Sequence, residues 1–278
     1  MKISWPELGE RRLRFVSDLH LGNEKSTIQT LEQVRFLLEG CDVLIVCGDL
    51  SEVRGSRRGS REERMLEEWK ELCQKAGVEL VQLAGNHDPL GNDYFDLLRG
   101  RFIAFHGHCL FKEGSPWGRE YINNRALYQQ VIKGMPEADN EISARMELAK
   151  KVALIEPANY DTAPDSLILK SRIIRALYHV FWPPVRPWNI MRAWLTMKGR
   201  VVRFRQKFFP DAQVICFGHF HKRFVFKKGN CLYVNLGAYF QYAQSYVLDV
   251  TQDLLQVREV SAQKGWGGIV YEQKTFCK

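Results

Sequence analysis

Residues 43–50, Val-Leu-Ile-Val-Cys-Gly-Asp-Leu, constrain this chain more than any other stretch. Residues 43–47 are apolar without a break, a pattern that predicts a strand buried on both faces, as in a parallel sheet. Gly48 and Asp49 follow at once. Ligands of open α/β sheets bind beyond the carboxyl ends of the strands, so Asp49 stands where a site belongs. The same punctuation recurs. Leu13-Arg14-Phe15-Val16-Ser17 leads into Asp18-Leu19-His20, and residues 78–84 lead into Gly85-Asn86-His87-Asp88. Residues 101–105 lead into His106-Gly107-His108, and Val214-Ile215-Cys216-Phe217 leads into Gly218-His219-Phe220-His221. Five apolar strands, each ending in side chains that bind metal, predict a metal centre.

The segments between them complete an α/β pattern. Apolar residues at 28, 31, 34, 37 and 38 predict a helix over 27–38, making a β-α-β unit with its flanking strands. Residues 51–61 hold glycine, serine and four arginines and read as an exposed, mobile loop. That loop is either simply solvated or a flap whose arginines, Arg57 among them, face phosphate. Residues 62–76 read as a helix with Met65, Leu66, Trp69 and Leu72 inward, residues 94–98 as a short helix, and residues 102–105 as a strand. Beyond Lys112 the strands stop. Helical periodicity covers 121–132, 142–154, 165–182 and 188–208, with Pro183, Pro184 and Pro187 forming a rigid turn. The sheet resumes near Gln213, with strands expected at 232–236, 245–250 and 254–260 and a loosely attached tail over 264–278. The expected organisation is a core of residues 1–111 and 210–278 interrupted by a helical cap, 112–209.

At 278 residues and 45% hydrophobic, the chain is long enough for a substantial core. Its seven cysteines include no CxxC pair and several fall inside strand patterns, so a reduced, cytoplasmic protein is expected. No apolar signal segment opens the sequence and no run of eighteen apolar residues occurs, so no membrane span is expected. The net charge of +8 suits nucleic acid, an anionic membrane surface or an anionic small substrate without choosing among them.

The strand ends offer seven candidate ligands: Asp18, His20, Asp49, Asn86, His106, His219 and His221, with His87 and His108 beside them. One octahedral ion takes at most six ligands, so seven favour two ions sharing a bridge. Nitrogen and oxygen donors without thiolate suit manganese, iron or zinc. Two such ions roughly 3.5–4 Å apart form a clamp for displacement at phosphorus. With Asp18 and Asp49 as the only carboxylates among the seven, two divalent ions leave the centre positive, which stabilises a phosphate transition state. A lone structural zinc would need four ligands and leave the rest unexplained. His179, outside the clusters, reads as a surface or packing residue of the cap.

Taken together, Asp18-Leu19-His20, Gly48-Asp49, Gly85-Asn86-His87-Asp88, His106-Gly107-His108 and Gly218-His219-Phe220-His221 resemble the five blocks of the calcineurin-like metallophosphoesterases, in the same order. The resemblance implies a β-sandwich flanked by helices. It implies that Asp18, His20, Asp49 and His221 hold one ion and that Asp49, Asn86, His106 and His219 hold the other, with Asp49 bridging. It makes His87 the residue beside the substrate, and His108 a supporting residue or substrate contact.

The cap bears on the substrate. Between residues 165 and 209 ten basic residues stand against one acid, Asp165, interleaved with eight aromatics that include Trp188 and Trp194. A basic amphipathic helix with tryptophans suits an anionic bilayer. Ser17-Asp18-Leu19-His20-Leu21-Gly22 with a helical insert between the His106 and His219 blocks is similar to the UDP-2,3-diacylglucosamine pyrophosphatases of lipid A biosynthesis. Those are peripheral inner-membrane enzymes that release UMP and 2,3-diacylglucosamine 1-phosphate (lipid X). The chain departs from their pattern with His87, where many carry arginine, and with His108, where aspartate usually follows the glycine. The resemblance implies a phosphorylated, lipid-linked nucleotide substrate gripped by Arg57, His108, Trp188 and Trp194, with two divalent ions, manganese foremost. The alternative is a soluble phosphodiesterase or nuclease acting on nucleotides or DNA.

Overall fold

The structure, a computed structural model, describes residues 2–52, 59–155, 184–241 and 243–274. The expected helix over 165–182 and Arg57 lie outside them. Met1–Gly107 and Phe209–Lys278 form one compact unit, and His108–Phe208 forms a second.

The first unit is built on two six-stranded sheets. One runs β1 (Ile3–Trp5), β5 (Phe95–Leu97), β6 (Phe102–Phe105), β7 (Val214–Phe217), β9 (Cys231–Asn235), β8 (Phe224–Lys228). The other runs β12 (Gly265–Lys274), β11 (Leu254–Ser261), β10 (Ser245–Val250), β2 (Leu13–Val16), β3 (Val43–Val46), β4 (Glu79–Gln82). Strands β2, β3 and β4 are parallel to one another, as are β6, β7 and β9, so within each sheet their carboxyl ends lie side by side.

Burial explains the unbroken apolar run of β3. Its residues alternate between two cores. Val43, Ile45 and Cys47 join Leu13 and Phe15 against Phe95, Phe102, Ala104, Val214, Cys216 and Val234 of the other sheet. Leu44 and Val46 turn outward onto Leu31, Val34, Leu37, Met65 and Trp69. Neither face of the strand meets water, so neither can be polar. Phe15 sits at the middle of the inter-sheet core, with ring centroids 4.8 Å from Phe102 and 5.7 Å from Phe95. Trp69 lies fully buried on α1 (Arg61–Lys75), whose first turn is capped by the Ser60 hydroxyl accepting from the Glu63 amide at 3.2 Å.

Several local expectations are corrected. Residues 94–98 are not a helix: Phe95–Leu97 is a strand between β1 and β6. The apolar residues at 94, 95, 97 and 98 satisfy either period, and strand neighbours on both sides decide the outcome. The expected helix over 27–38 shortens to a 3-10 helix, Leu31–Leu38, because the Gln33 side chain accepts from the amides of Gln29 and Thr30 and pins its start there. The tail is not loose. Gly265–Lys274 pairs antiparallel with β11, and Trp266 packs edge-on to Phe36 with the Arg14 guanidinium 4.6 Å from its ring. Strands β1 and β8 carry no clear period and were not expected.

The second unit is helical among its described residues: α2 (Arg119–Asn123), α3 (Arg125–Lys133), α4 (Ile142–Leu154) and α5 (Val185–Phe208). The single helix expected over 121–132 is two, broken at Asn124. Tyr128, Ala138, Leu148, Val152 and Ile155 form the unit's own apolar cluster. No described helix is long and apolar enough to cross a membrane.

All six described cysteines are buried thiols. Burial pushes the Cys41 thiol up to about 11 and the Cys73 thiol up to about 12. The thiolate is the reactive form, so iodoacetamide at pH 8 is expected to add at most one label to the native protein and seven to the unfolded one, the sequence holding seven cysteines. Intact mass measures the count, and rapid uptake of three or more labels without unfolding would contradict this packing.

Candidate metal centre

The loops after β2, β3, β4, β6 and β7 converge in the first unit and are laced together through their backbones. The Asp18 amide donates to the Gly48 carbonyl at 3.1 Å, that of His20 to Asp49 at 3.0 Å, and that of Gly218 to His106 at 3.0 Å. Asp18, His20, Asp49, His219 and His221 all have φ between 47° and 75°. Left-handed backbone costs a non-glycine residue on the order of 1–3 kcal/mol and gathers where function requires it. Five such residues in one cluster are therefore a structural mark of the site, independent of their chemistry. Gly218 makes the approach possible: a Cβ there would collide with the Ser17 hydroxyl and the Asp18 carboxylate.

Donor atoms crowd together. Asp18 Oδ1 lies 3.2 Å from His221 Nε2 and 3.8 Å from His20 Nε2. Asp49 Oδ2 lies 3.1 Å from His106 Nε2 and 3.8 Å from His20 Nε2. Asn86 Oδ1 is 3.2 Å from His106 Nε2, and the His219 ring stands edge-on to His106 with centroids 5.0 Å apart. The structure thus brings Asp18, His20, Asp49, Asn86, His106, His219 and His221 into one cluster. Asp18, His20 and His221 gather on one side, Asn86, His106 and His219 on the other, and Asp49 reaches toward both.

This donor set fits metal ions. His106 Nδ1 donates to the Cys47 carbonyl at 2.8 Å and His20 Nδ1 to Glu52 Oε1 at 2.7 Å, which makes each Nε2 the nitrogen that could ligate an ion. Asp18 Oδ1 is fully buried without a hydrogen bond of acceptable geometry. Burial disfavours charge on His20 and His106, yet Asp18 and Glu52 push His20 up to about 10, and Asp49 and Asp18 push His106 up to about 9. Burial also opposes ionisation of Asp49, and the surrounding histidines outweigh it, holding the carboxyl well below the usual range. Such a pocket calls for added positive charge.

The sequence matches the calcineurin-like phosphoesterases over residues 11–223. The chain belongs to that family. It has the family's sandwich fold and is a metal-dependent phosphoesterase, of a family that binds two divalent ions, with donor groups that could hold them. Structural likenesses are remote. A predicted phosphoesterase from Streptococcus pneumoniae is 14% identical, covers 96% of this chain and 99% of its own, and has a TM-score of 0.41. For a dimetal phosphatase from Danio rerio the values are 9%, 97%, 99% and 0.43, and for YfcE, a phosphoesterase from E. coli, 16%, 95%, 99% and 0.40. No curated protein sequence matches the chain.

Sequence reasoning missed three residues of the phosphoesterase centre. Ser51 and Glu52 are not part of an exposed loop: Ser51 is buried and the Glu52 side chain is 18% exposed. Glu52 bridges two histidines, through Oε1 to His20 Nδ1 and through Oε2 to His87 Nδ1 at 2.6 Å, and Asn23 Nδ2 donates to Oε1 at 2.8 Å. Its position three residues after Asp49 was the available signal. Asp88 ties the site's backbone together, accepting from the amides of Asp49, Leu50 and Gly85 and from Gln82 Nε2. Burial and the Asp49 charge push its carboxyl up to about 7. Phe240 stacks on His221. His108 lies buried in a 3-10 turn of the second unit, and Trp188 and Trp194 are exposed on α5.

Proposed function

We propose that this phosphoesterase hydrolyses a phosphodiester or pyrophosphate bond in an acylated, nucleotide-linked substrate, UDP-2,3-diacylglucosamine being the first candidate, with UMP and lipid X as products. The carrying observation is α5. Trp188 is 60% exposed and Leu195 78%, Met191 and Trp194 are exposed beside them, and residues 185–208 hold seven basic side chains and no acid. Exposed tryptophan and leucine among arginines suit acyl chains with an anionic headgroup, or an anionic membrane surface that supplies the substrate. Burying about 0.8 kcal/mol per methylene, ten methylenes would contribute roughly 8 kcal/mol before ordering costs. A soluble nucleotide diester lacks that term.

In this reading Asp18, His20, Asp49, Asn86, His106, His219 and His221 would hold the ions, manganese foremost and iron or zinc suited to the same donors, which when bound would polarise the phosphoryl oxygens and lower the pKa of water. Water gives up a proton to solvent as its oxygen bonds to phosphorus, the bond from phosphorus to the leaving oxygen breaks, and that oxygen takes a proton from His87. Asp49 holds the His87 backbone, accepting its amide at 2.9 Å. Arg57, Trp188 and Trp194 are assigned to the substrate, and the buried His108 to a supporting role.

The test runs UDP-2,3-diacylglucosamine, bis-p-nitrophenyl phosphate and single-stranded DNA in parallel with manganese-loaded enzyme. The acylated substrate is expected to show the highest kcat/KM. Trp188→Asp should lower kcat/KM on it by roughly tenfold or more, a loss of about 1.4 kcal/mol, and change bis-p-nitrophenyl phosphate turnover less than twofold. Equal losses on both would mean that Trp188 serves folding, and faster cleavage of DNA would discard the acylated substrate.

A further inference from the structure

We propose that Phe240 is a positioning residue of the metal centre: its ring holds His221 in ligating orientation by stacking, which makes the ion on the Asp18, His20 and His221 side the more exchangeable of the two. The starting point is an asymmetry among the ligand histidines. His20 and His106 are fully buried, and each has Nδ1 fixed by a hydrogen bond, to Glu52 and to the Cys47 carbonyl. His221 is different. Its side chain is 37% exposed, and its Nδ1 has no hydrogen-bond partner among the described residues. Ligating histidines are ordinarily oriented through the other ring nitrogen. Here the ring lies instead against Phe240, with centroids 5.0 Å apart and planes 18° apart.

Phe240 is itself well placed to do this. The same ring meets His20 edge-on at 4.4 Å, so it touches two ligands of one ion, and its ring contacts reach no histidine of the other group. Its backbone is held by the loop that carries those ligands. Phe240 bridges Ser26, the Tyr239 amide donates to the Asp18 carbonyl at 3.0 Å, and the Gln241 amide donates to the Lys25 carbonyl at 3.1 Å. A ring fixed at its base can fix what stacks on it. Stacking restrains the plane of His221 but leaves rotation within that plane looser than a hydrogen bond would. Together with the partial exposure of His221, this predicts the weaker ligand field on that side.

The test measures metal binding directly. Metal-free protein is titrated with manganese against a fluorescent chelator to give two dissociation constants, and His221→Ala and Asn86→Ala assign them to the two sides. The weaker constant in the wild type is expected to be the one that His221→Ala removes. Phe240→Ala should weaken that ion by roughly 10–100-fold, the usual cost of losing an outer partner of a ligand, and leave the other within about threefold. Turnover should recover at saturating manganese, so the defect appears in the metal concentration required and not in kcat. Phe240→Tyr should bind as the wild type does. Phe240→Leu, with comparable bulk and no aromatic face, should resemble Phe240→Ala and serves in its place should that variant fail to fold. Wild-type affinity in Phe240→Leu, equal weakening of both ions, or a weaker constant assigned to the Asn86 side would each overturn the proposal.

Discussion

Asp49→Asn is expected to abolish turnover and to leave the protein with fewer than two ions per chain. Three observations set the size of the effect. Asp49 Oδ2 is the carboxylate oxygen that approaches ligand nitrogens on both sides, at 3.1 Å from His106 Nε2 and 3.8 Å from His20 Nε2. The side chain is 1% exposed, so water cannot replace it, and its φ of 52° aims it from the end of a central strand. Its neighbours already hold the carboxyl well below its usual range against the cost of burial, so the charge is present before any ion binds. Removing one preorganised electrostatic group costs roughly 10²–10³ in rate, and a group shared by both ions should cost at least the upper value. Asparagine keeps an oxygen for the His87 amide, which now reaches Asp49 Oδ1 at 2.9 Å, so the loop should hold. Metal analysis, kcat and thermal melting together check the prediction. A variant with two ions and more than a tenth of wild-type turnover would show that Asp49 is not the shared ligand.

Why so much of this centre was legible in the sequence follows from how the sheets are built. Each candidate ligand sits within a few residues of a strand whose apolar run marks where it ends. Parallel strands bring such ends together whatever the loops do, so Asp18, Asp49, Asn86, His106 and His219 could be read as one cluster before their distances were known. Glu52 could not. It follows Ser51 into a stretch of glycine, serine and arginine with every property of a solvated loop. Only the folded chain shows that Ser51 is buried and that Glu52 turns inward onto His20 and His87. Phe240 was hidden for a related reason: it lies beyond β9, in a segment tied by backbone bonds to the Asp18 loop, and backbone bonds leave no trace in side-chain type. The edge elements failed differently. Phe95–Leu97 has apolar residues that suit a helix or a doubly buried strand, and the choice belongs to β1 and β6, which are distant in sequence. Gly265–Lys274 contains two adjacent glycines and two register shifts against β11 that blur its alternation. Its pairing is carried by main-chain groups that any sequence possesses.

His87→Ala should lower kcat by roughly 10²–10⁴-fold on a substrate with a poor leaving group, the range for a positioned acid or base, while metal content stays near that of the wild type. The geometry separates His87 from the ligands around it. Its side chain is 42% exposed, whereas those of His20 and His106 are fully buried. Its ring meets His20 edge-on at 5.2 Å, close enough to the centre to face a bound phosphoryl group. Glu52 occupies Nδ1 at 2.6 Å, which leaves Nε2 as the nitrogen open to substrate. Burial lowers the proton affinity of His87, but Asp49 and Glu52 outweigh it and raise it above the ordinary histidine value. A histidine so held keeps its proton until an oxygen of growing basicity appears beside it, as the leaving oxygen does when its bond to phosphorus breaks. The leaving group therefore supplies the decisive comparison. A p-nitrophenolate departs without a proton, so bis-p-nitrophenyl phosphate should lose far less turnover in His87→Ala than an alkyl diester does. Equal losses on both substrates would make His87 a contact that binds phosphate. A wild-type rate on the alkyl diester would remove it from the reaction altogether.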